Sequence, residues 1–498
     1  MSTLGLRGLL RHGGVYAGTS TAGAALAFFV LPLYVAYLGP EGLGTVELLA
    51  AATSLFTLVV GQGLPSAWFR LRRDYEGLLR RVFETTVLWY LVASALAVIG
   101  LSVAIGPPLV ARYIPEIPFH PMWLLALATG AATIVCETYA RGLQAEHRST
   151  AYAFVVLGRR ILTLGAIVAF VVGLGRGVEG KVVAEALVTL IVAVGMIAAV
   201  HPLAPTRASG AVLRAALAYG LPLLPHVFAM QIIAVWDRLV INHALGLGAV
   251  GVYSLGYRIA AIVEMANVGL AGAYRASFFS HAARLDEPGG LGRAAFAART
   301  ARLEHGFLAA SGMLALSVSL GTRELLLLAR VDPVAFADSW RVTTIVCAGL
   351  FAHAGYSILA TPIIHATRAI GLLPAVSGLG ALVNVVGCVV FIPRYGFLAA
   401  AWATVAAHVT IAIGAFFAGQ RAMPLPRSFG TWGKLAAATL LAIAVGYQCD
   451  AHFATTSWRV GAKLVVATSA CLALWLFSGL GRRGGGDAPS PGAASQAR

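Results

Sequence analysis

Fourteen stretches of about twenty predominantly apolar residues follow one another along this chain, each long enough to cross the ~30 Å hydrocarbon core of a bilayer as a helix. They are predicted at 14–38, 43–64, 82–110, 119–140, 151–173, 181–200, 217–243, 249–273, 303–329, 340–365, 371–392, 396–419, 432–449 and 459–480. Nothing else constrains the fold so strongly, because backbone in lipid must satisfy its own hydrogen bonds, and apolar runs of this length do so as helices. Composition agrees: of 498 residues 59% are hydrophobic and 11% charged, which excludes a soluble enzyme of this size and a disordered chain. The expected fold class is an all-α polytopic membrane protein with 14 transmembrane helices. Five scattered cysteines without a CxxC read as small buried hydrophobes, neither a disulfide framework nor a metal site. The first run is too long for a signal-peptide core and is expected to be retained.

Lys and Arg total 36 against 20 Asp and Glu, a formal charge of +16. In a membrane protein such an excess reports topology and attraction to anionic lipid before it reports nucleic acid, which is not expected as a partner. With an even number of spans both termini share a side. Placing them in the cytoplasm puts 23 cations in or beside inside loops and 7 outside, Lys181 and Arg459 among the latter. The two largest loops, 65–81 and 276–302, then lie inside. The first interleaves Trp68, Phe69 and Leu71 with five arginines, as a segment lying on the membrane surface would. The Gly, Pro, Ser and Ala-rich tail 481–498 reads as disordered and cytoplasmic.

A weak internal repeat organises the spans. LGPEGLG at 38–44 and LGLGAVG at 245–251 match at Leu, Gly and the closing Gly with an offset of 207, each in the short outside turn after the first helix of a set of six. Two six-helix bundles as parallel repeats are therefore expected, at 1–210 and 211–420, followed by an accessory pair of helices at 421–480. A substrate path would run between the bundles, which would rock in alternating access.

Six cations remain within the spans: Arg159, Arg160, Arg238, Arg258, Arg323 and Lys463. Ionisable groups there are costly, so each is a functional candidate. Gln231, Arg238 and Asn242 share one face of the seventh span, Ser254 and Arg258 a face of the eighth, and Arg159 aligns with Tyr152 and Thr163 in the fifth beside Arg160. Together they outline a cationic cavity for an anionic group, since the guanidinium fork suits phosphate or pyrophosphate. The competing structural reading pairs Asp237 with Arg238, lets Arg159 and Arg160 snorkel to the surface, and makes Arg323–Glu324 an interface pair. Among the intramembrane acids, Asp237, Glu264 and Glu47 are the candidates for ion coupling, with Glu137 and Glu185 also inside spans. His353, His365 and His408 show no metal-ligand spacing. Pro222, Pro225 and Pro32 would bend the helices that open the two bundles.

There is no GxxxxGK[ST], GxSxG or HExxH, which argues against an ATPase or hydrolase and for transport. Against that background EGLG at 41–44, GLPSAWFR at 63–70, YGLPLLP at 219–225, Asp237-Arg238 and GVYSLGYRIA at 251–260 resemble the bacterial oligosaccharide flippases of O-antigen and exopolysaccharide synthesis. That family shares a superfamily with the multidrug and toxic compound extrusion transporters and the lipid II flippase.

The resemblance implies a V-shaped two-bundle transporter in the bacterial cytoplasmic membrane, not an enzyme, that moves undecaprenyl-pyrophosphate-linked oligosaccharide from the inner to the outer leaflet. Arg238 and Arg258 match basic positions of the family, the second often lysine there. The resemblance further implies H⁺ or Na⁺ as coupling ion and no cofactor. A monomer is expected, in contact with membrane lipids and with polysaccharide polymerase machinery. The alternatives are a cation-coupled antiporter of drugs or organic cations, which would favour acids in its cavity, and a membrane polysaccharide polymerase or ligase, which would need a catalytic carboxylate on the outer face.

Overall fold

The structure is a computed structural model that describes residues 30–200, 207–285, 292–366, 369–453 and 456–479, with isolated positions between 15 and 26. Most of the expected first span, the cations Arg7, Arg11, Arg368, Arg482, Arg483 and Arg498, and the tail 481–498 lie outside the described residues. Among the described residues there is no strand, and thirteen helical segments are long and apolar enough to cross a membrane.

In chain order the helices are α1 (Leu31–Gly61), α2 (Leu64–Leu71), α3 (Gly77–Tyr113), α4 (Leu124–Ala145), α5 (Ser149–Ile167), α6 (Gly177–Val200), α7 (Gly210–Gly220), α8 (Leu224–Leu245), α9 (Leu247–Ala282), α10 (Arg293–Leu328), α11 (Ser339–His365), α12 (Leu372–Tyr395), α13 (Leu398–Ala422), α14 (Phe429–His452) and α15 (Thr456–Ser478). The first of these is two helices joined end to end, broken at Gly39, whose φ of 62° and ψ of −174° lie where only glycine sits without strain. Pro40 then opens the next segment, where its missing N–H removes no helical bond.

Gly246, between α8 and α9, has φ 84° and ψ 174°, so both copies of the repeated turn have one backbone shape. They also meet. A Cβ on Gly44 would strike the Leu247 carbonyl, and one on Gly251 would strike the carbonyl of Pro40. Since 40 and 247, like 44 and 251, are equivalent positions of the repeat, the contact is reciprocal, and it is what brings α1 against α9.

α1 also packs on α4 and α6, whereas α9 packs on α10 and α11, α8 on α12, and α11 on α13. α11 is buried over most of its length because small and hydroxylic residues let neighbours approach. Thr343 Oγ1, for example, donates 2.9 Å across to the Gly256 carbonyl.

The accessory pair docks on α10 through charge. Lys463 Nζ lies 2.8 Å from Glu324 Oε2 and 2.6 Å from Asp450 Oδ1, and Arg459 Nε 3.1 Å from Glu324 Oε1. Glu324 therefore does not pair with Arg323, as expected from adjacency. Arg323 turns instead to the Asp450 carbonyl and the Trp340 ring, while Glu324 takes the cations of the accessory pair.

The expected loop at 276–302 is also largely helical. α9 continues to Ala282 and α10 begins at Arg293, because this segment is rich in alanine and closes on the buried Phe278–Phe296 pair, with centroids 5.4 Å apart. The surface segment at 65–81 contains α2, which buries Trp68 against Phe83 and leaves Leu78 and Leu79 exposed just beyond it.

Candidate functional site

A polar cavity opens between α1, α4, α5, α6 and α8. Its larger lobe, about 560 Å³, is walled by hydroxyls of α1 and α4 such as Thr53, Ser54, Thr57 and Thr129, with Glu137, Arg141, Arg159 and Gln231 around them. A second lobe of about 250 Å³ continues to Arg160, Tyr34 and Arg258, and Arg159, Lys181 and Glu185 line both. Repeated threonine at helical spacing makes the α1 wall. Those hydroxyls bond back to carbonyls one turn earlier, as Thr53 does to Leu49 at 2.8 Å, so they line the space without an unmet donor.

Five cations, Arg141, Arg159, Arg160, Lys181 and Arg258, face this space against two carboxylates, Glu137 and Glu185. Lys181 Nζ is 2.5 Å from Glu185 Oε2, one turn along α6. Arg160 donates to the Gly23 carbonyl, at 3.5 Å. Among the described residues, neither Arg159 nor Arg160 has a carboxylate within ion-pair distance. A hydrated pocket lined by unneutralised guanidinium groups attracts anions more strongly than the same charges on an open surface, because little solvent lies between to screen them.

The remaining candidates separate from this cavity. Glu47 of α1 takes Arg258 Nε at 2.5 Å and Arg238 Nε at 3.4 Å, and Arg238 Nη1 is held 3.0 Å from Asp237 Oδ1. Tyr253 donates to Asp237 at 2.5 Å, and Tyr257 covers the Arg238 guanidinium at 4.7 Å from its ring centroid. Two arginines and two acids thus form a neutral cluster beside the Gly44–Gly251 crossing, tying α1 to α8 and α9.

Arg238 is buried there and lines neither lobe, and the same holds for Asn242. Gln231 does reach the cavity, donating 2.8 Å to Ser54 Oγ across α8 and α1. So of the residues expected to bind substrate, Arg159, Arg160, Arg258 and Gln231 come together, and Arg238 and Asn242 stand apart.

Lys181, expected among outside topology cations, is inside the cavity wall. Its signal was the KVVAE spacing, a cation and an acid one turn apart at the start of an apolar run. Arg238 and Arg258 do not stand unpaired, because Glu47, far away in sequence, and Asp237 neutralise them.

Glu264 stands elsewhere, on α9. His353 Nδ1 lies 3.0 Å from its Oε2, and the His353 ring stacks on His408 with centroids 4.9 Å apart. His408 is buried. No group of three or more His, Cys, Asp and Glu side chains among the described residues is placed to hold a metal ion.

Fold and cavity together describe a multi-pass helical membrane protein with a polar, cation-lined space among its helices. The chain belongs to the polysaccharide biosynthesis protein family, whose model matches residues 9–274, just over half of its length. No curated protein matches it by sequence.

Among solved structures it is similar to the lipid II flippase MurJ in an inward closed conformation, with TM-score 0.71 and 13% identity over 93% of this chain and 97% of that one. It is also similar to an inward-facing multidrug resistance MATE family transporter of the MOP superfamily, with TM-score 0.62 and 16% identity over 80% of this chain and 94% of that one. A MOP superfamily transporter from Pyrococcus furiosus, described as having a binding pocket of reversed polarity, gives TM-score 0.59 and 15% identity over 84% of this chain and 98% of that one. At these identities the likeness establishes the shared fold.

Proposed function

We propose that this protein is a flippase that moves undecaprenyl-pyrophosphate-linked oligosaccharide from the inner to the outer leaflet of a bacterial cytoplasmic membrane by alternating access. The observation that carries the reading is the cavity lined by Arg159, Arg160, Lys181 and Arg258, in a family of polysaccharide biosynthesis proteins. Pyrophosphate would take the arginine forks, the glycan would take the threonine hydroxyls, and the polyprenyl chain would stay in lipid. An exporter of organic cations fits less well, since such cargo would meet five cations and two acids.

In this proposal Glu264 with His353 is the coupling site and the ion is a proton. Glu47 and Asp237 are tied up in ion pairs with arginines, whereas Glu264 stands apart from that cluster, paired with His353.

The test is leaflet-specific labelling in cells lacking any redundant flippase. Deleting the gene should leave lipid-linked oligosaccharide inaccessible to an external lectin, and Arg159→Ala or Arg258→Ala should do the same at unchanged protein level. Normal surface labelling in the deletion strain sinks the flippase reading. Normal labelling in both variants shows that the cavity is not the cargo path.

A further inference from the structure

A second, quite different space lies on the flank formed by α11, α13 and α14. It is an apolar groove of about 1030 Å³ whose walls are almost entirely hydrocarbon, with Trp402, Phe416, Phe417 and Trp432 among them. Along α14 it extends from Phe429 to Gln448, which at 1.5 Å per residue is roughly 28 Å, the thickness of a bilayer core. Its rim is exposed: Trp402, Ile413, Phe417 and Phe429 each leave more than half of their surface uncovered, so the groove opens on the surrounding lipid.

One cation lines it, at the end where the 423–428 connection enters α14. The Arg427 side chain is 1% exposed, its Nε is 3.5 Å from Glu304 Oε1, and among the described residues its Nη1 and Nη2 have no hydrogen-bond partner. The Trp432 indole N–H, one turn into α14, is also buried and faces the same Glu304 carboxylate. Buried donors normally find acceptors, and leaving a charged group's donors unmet is costlier than leaving a neutral group's. Guanidinium donors left over at the mouth of a hydrocarbon groove call for a ligand with clustered acceptor oxygens at one end and a long apolar body.

We infer that this groove binds an anionic glycerophospholipid, with its phosphodiester on Arg427 and its acyl chains along α14. Glu304 selects the headgroup. Its carboxylate offsets the Arg427 charge, so a singly charged phosphodiester is accommodated where a doubly charged phosphate monoester or pyrophosphate meets repulsion. No residue lines both this groove and the polar cavity, so a lipid held here need not leave for cargo to cross. The inference does not rest on the cargo proposed above.

The experiment is native mass spectrometry of the full-length protein in detergent, titrated with dioleoyl phosphatidylglycerol. The expected result is one retained lipid whose affinity falls at least about tenfold in Arg427→Gln and about threefold in Arg427→Lys, which keeps the charge and loses the fork. Gly355→Leu is a second probe. A Cβ at Gly355 would meet only Trp432, at 3.9 Å, so the new side chain grows into the groove and should also expel the lipid. Should Arg427→Gln fail to fold, Gly355→Leu decides the matter. Unchanged affinity in the variants that fold overturns the assignment. So does undecaprenyl phosphate that displaces phosphatidylglycerol and binds more tightly, which would make the groove a site for the cargo's tail.

Discussion

Glu47→Gln is the substitution with the most to say about how the helices of the two repeated turns are held together. The carboxylate of Glu47 is shared by Arg258, 2.5 Å away, and Arg238, 3.4 Å away, and it joins α1 to α8 and α9. At an effective dielectric constant of ~20 these two pairs correspond to roughly 6–7 and 5 kcal/mol of Coulomb attraction. Neither is a net stability. Arg238 keeps Asp237 when Glu47 is neutralised, and the Arg258 side chain is 30% exposed, so water and the cavity screen its loss. Removing a buried acid also removes its own desolvation cost. The expected loss is therefore near the lower end for a broken buried pair, about 3 kcal/mol, of which about 1–2 kcal/mol belongs to Arg258.

A double-mutant cycle isolates that share. Glu47→Gln, Arg258→Gln and the double variant are unfolded in detergent under equilibrium conditions, and the coupling energy should be about 1–2 kcal/mol with the double variant more stable than the sum of losses predicts. Additive losses, within about 0.5 kcal/mol, would refute the argument that Glu47 and Arg258 form an energetically real bridge. Because the cluster lies where the repeated turns meet, each 1.4 kcal/mol removed should also shift the equilibrium about tenfold toward states in which this end is open.

Three further outcomes follow from the same geometry. Gly251→Val should prevent accumulation of folded protein, since its Cβ meets the Pro40 backbone, whereas Gly248→Ala, with Glu41 Cγ at 3.8 Å, should change stability by less than about 0.5 kcal/mol; membrane levels and thermal unfolding distinguish them. Export should fall in Glu264→Gln at unchanged protein level, and normal export in that variant would remove the Glu264–His353 pair from coupling. Lys463→Leu should destabilise by about 3 kcal/mol by leaving Glu324 and Asp450 with Arg459 alone, and adding Asp450→Leu should restore part of the loss, read as thermal unfolding.

What could be read from the chain and what could not divide along the range of the interaction. A membrane span is a local property, decided by about twenty consecutive residues and the bilayer thickness, so the second to fourteenth expected spans coincide with observed helices apart from their ends, while most of the first lies outside the described residues. The ends moved where local helix propensity outlasts hydrophobicity, as at 276–282 and 293–302.

The repeat was faint as letters because a turn needs few side chains. It is clear as backbone, since Gly39 and Gly246 share one conformation and Gly44 and Gly251 each pack on the other's turn. Charge behaved differently. The intramembrane arginines could be identified one by one, but a guanidinium's role depends on the acid beside it. For Arg238 and Arg258 that acid lies 191 and 211 residues away.

Lys181 shows the same dependence. A cation at the edge of an apolar run looks like a topology signal until the helix is seen to begin earlier, at Gly177, which turns that position into the cavity wall beside Glu185. The chain thus separates two uses of arginine. Where helices must hold one another, at Glu47 and again at Glu324, the cations are matched by acids. Where a polar space is kept open, Arg159 and Arg160 are left without acid partners among the described residues. That contrast, rather than the total positive charge, is the physical argument for an anionic cargo.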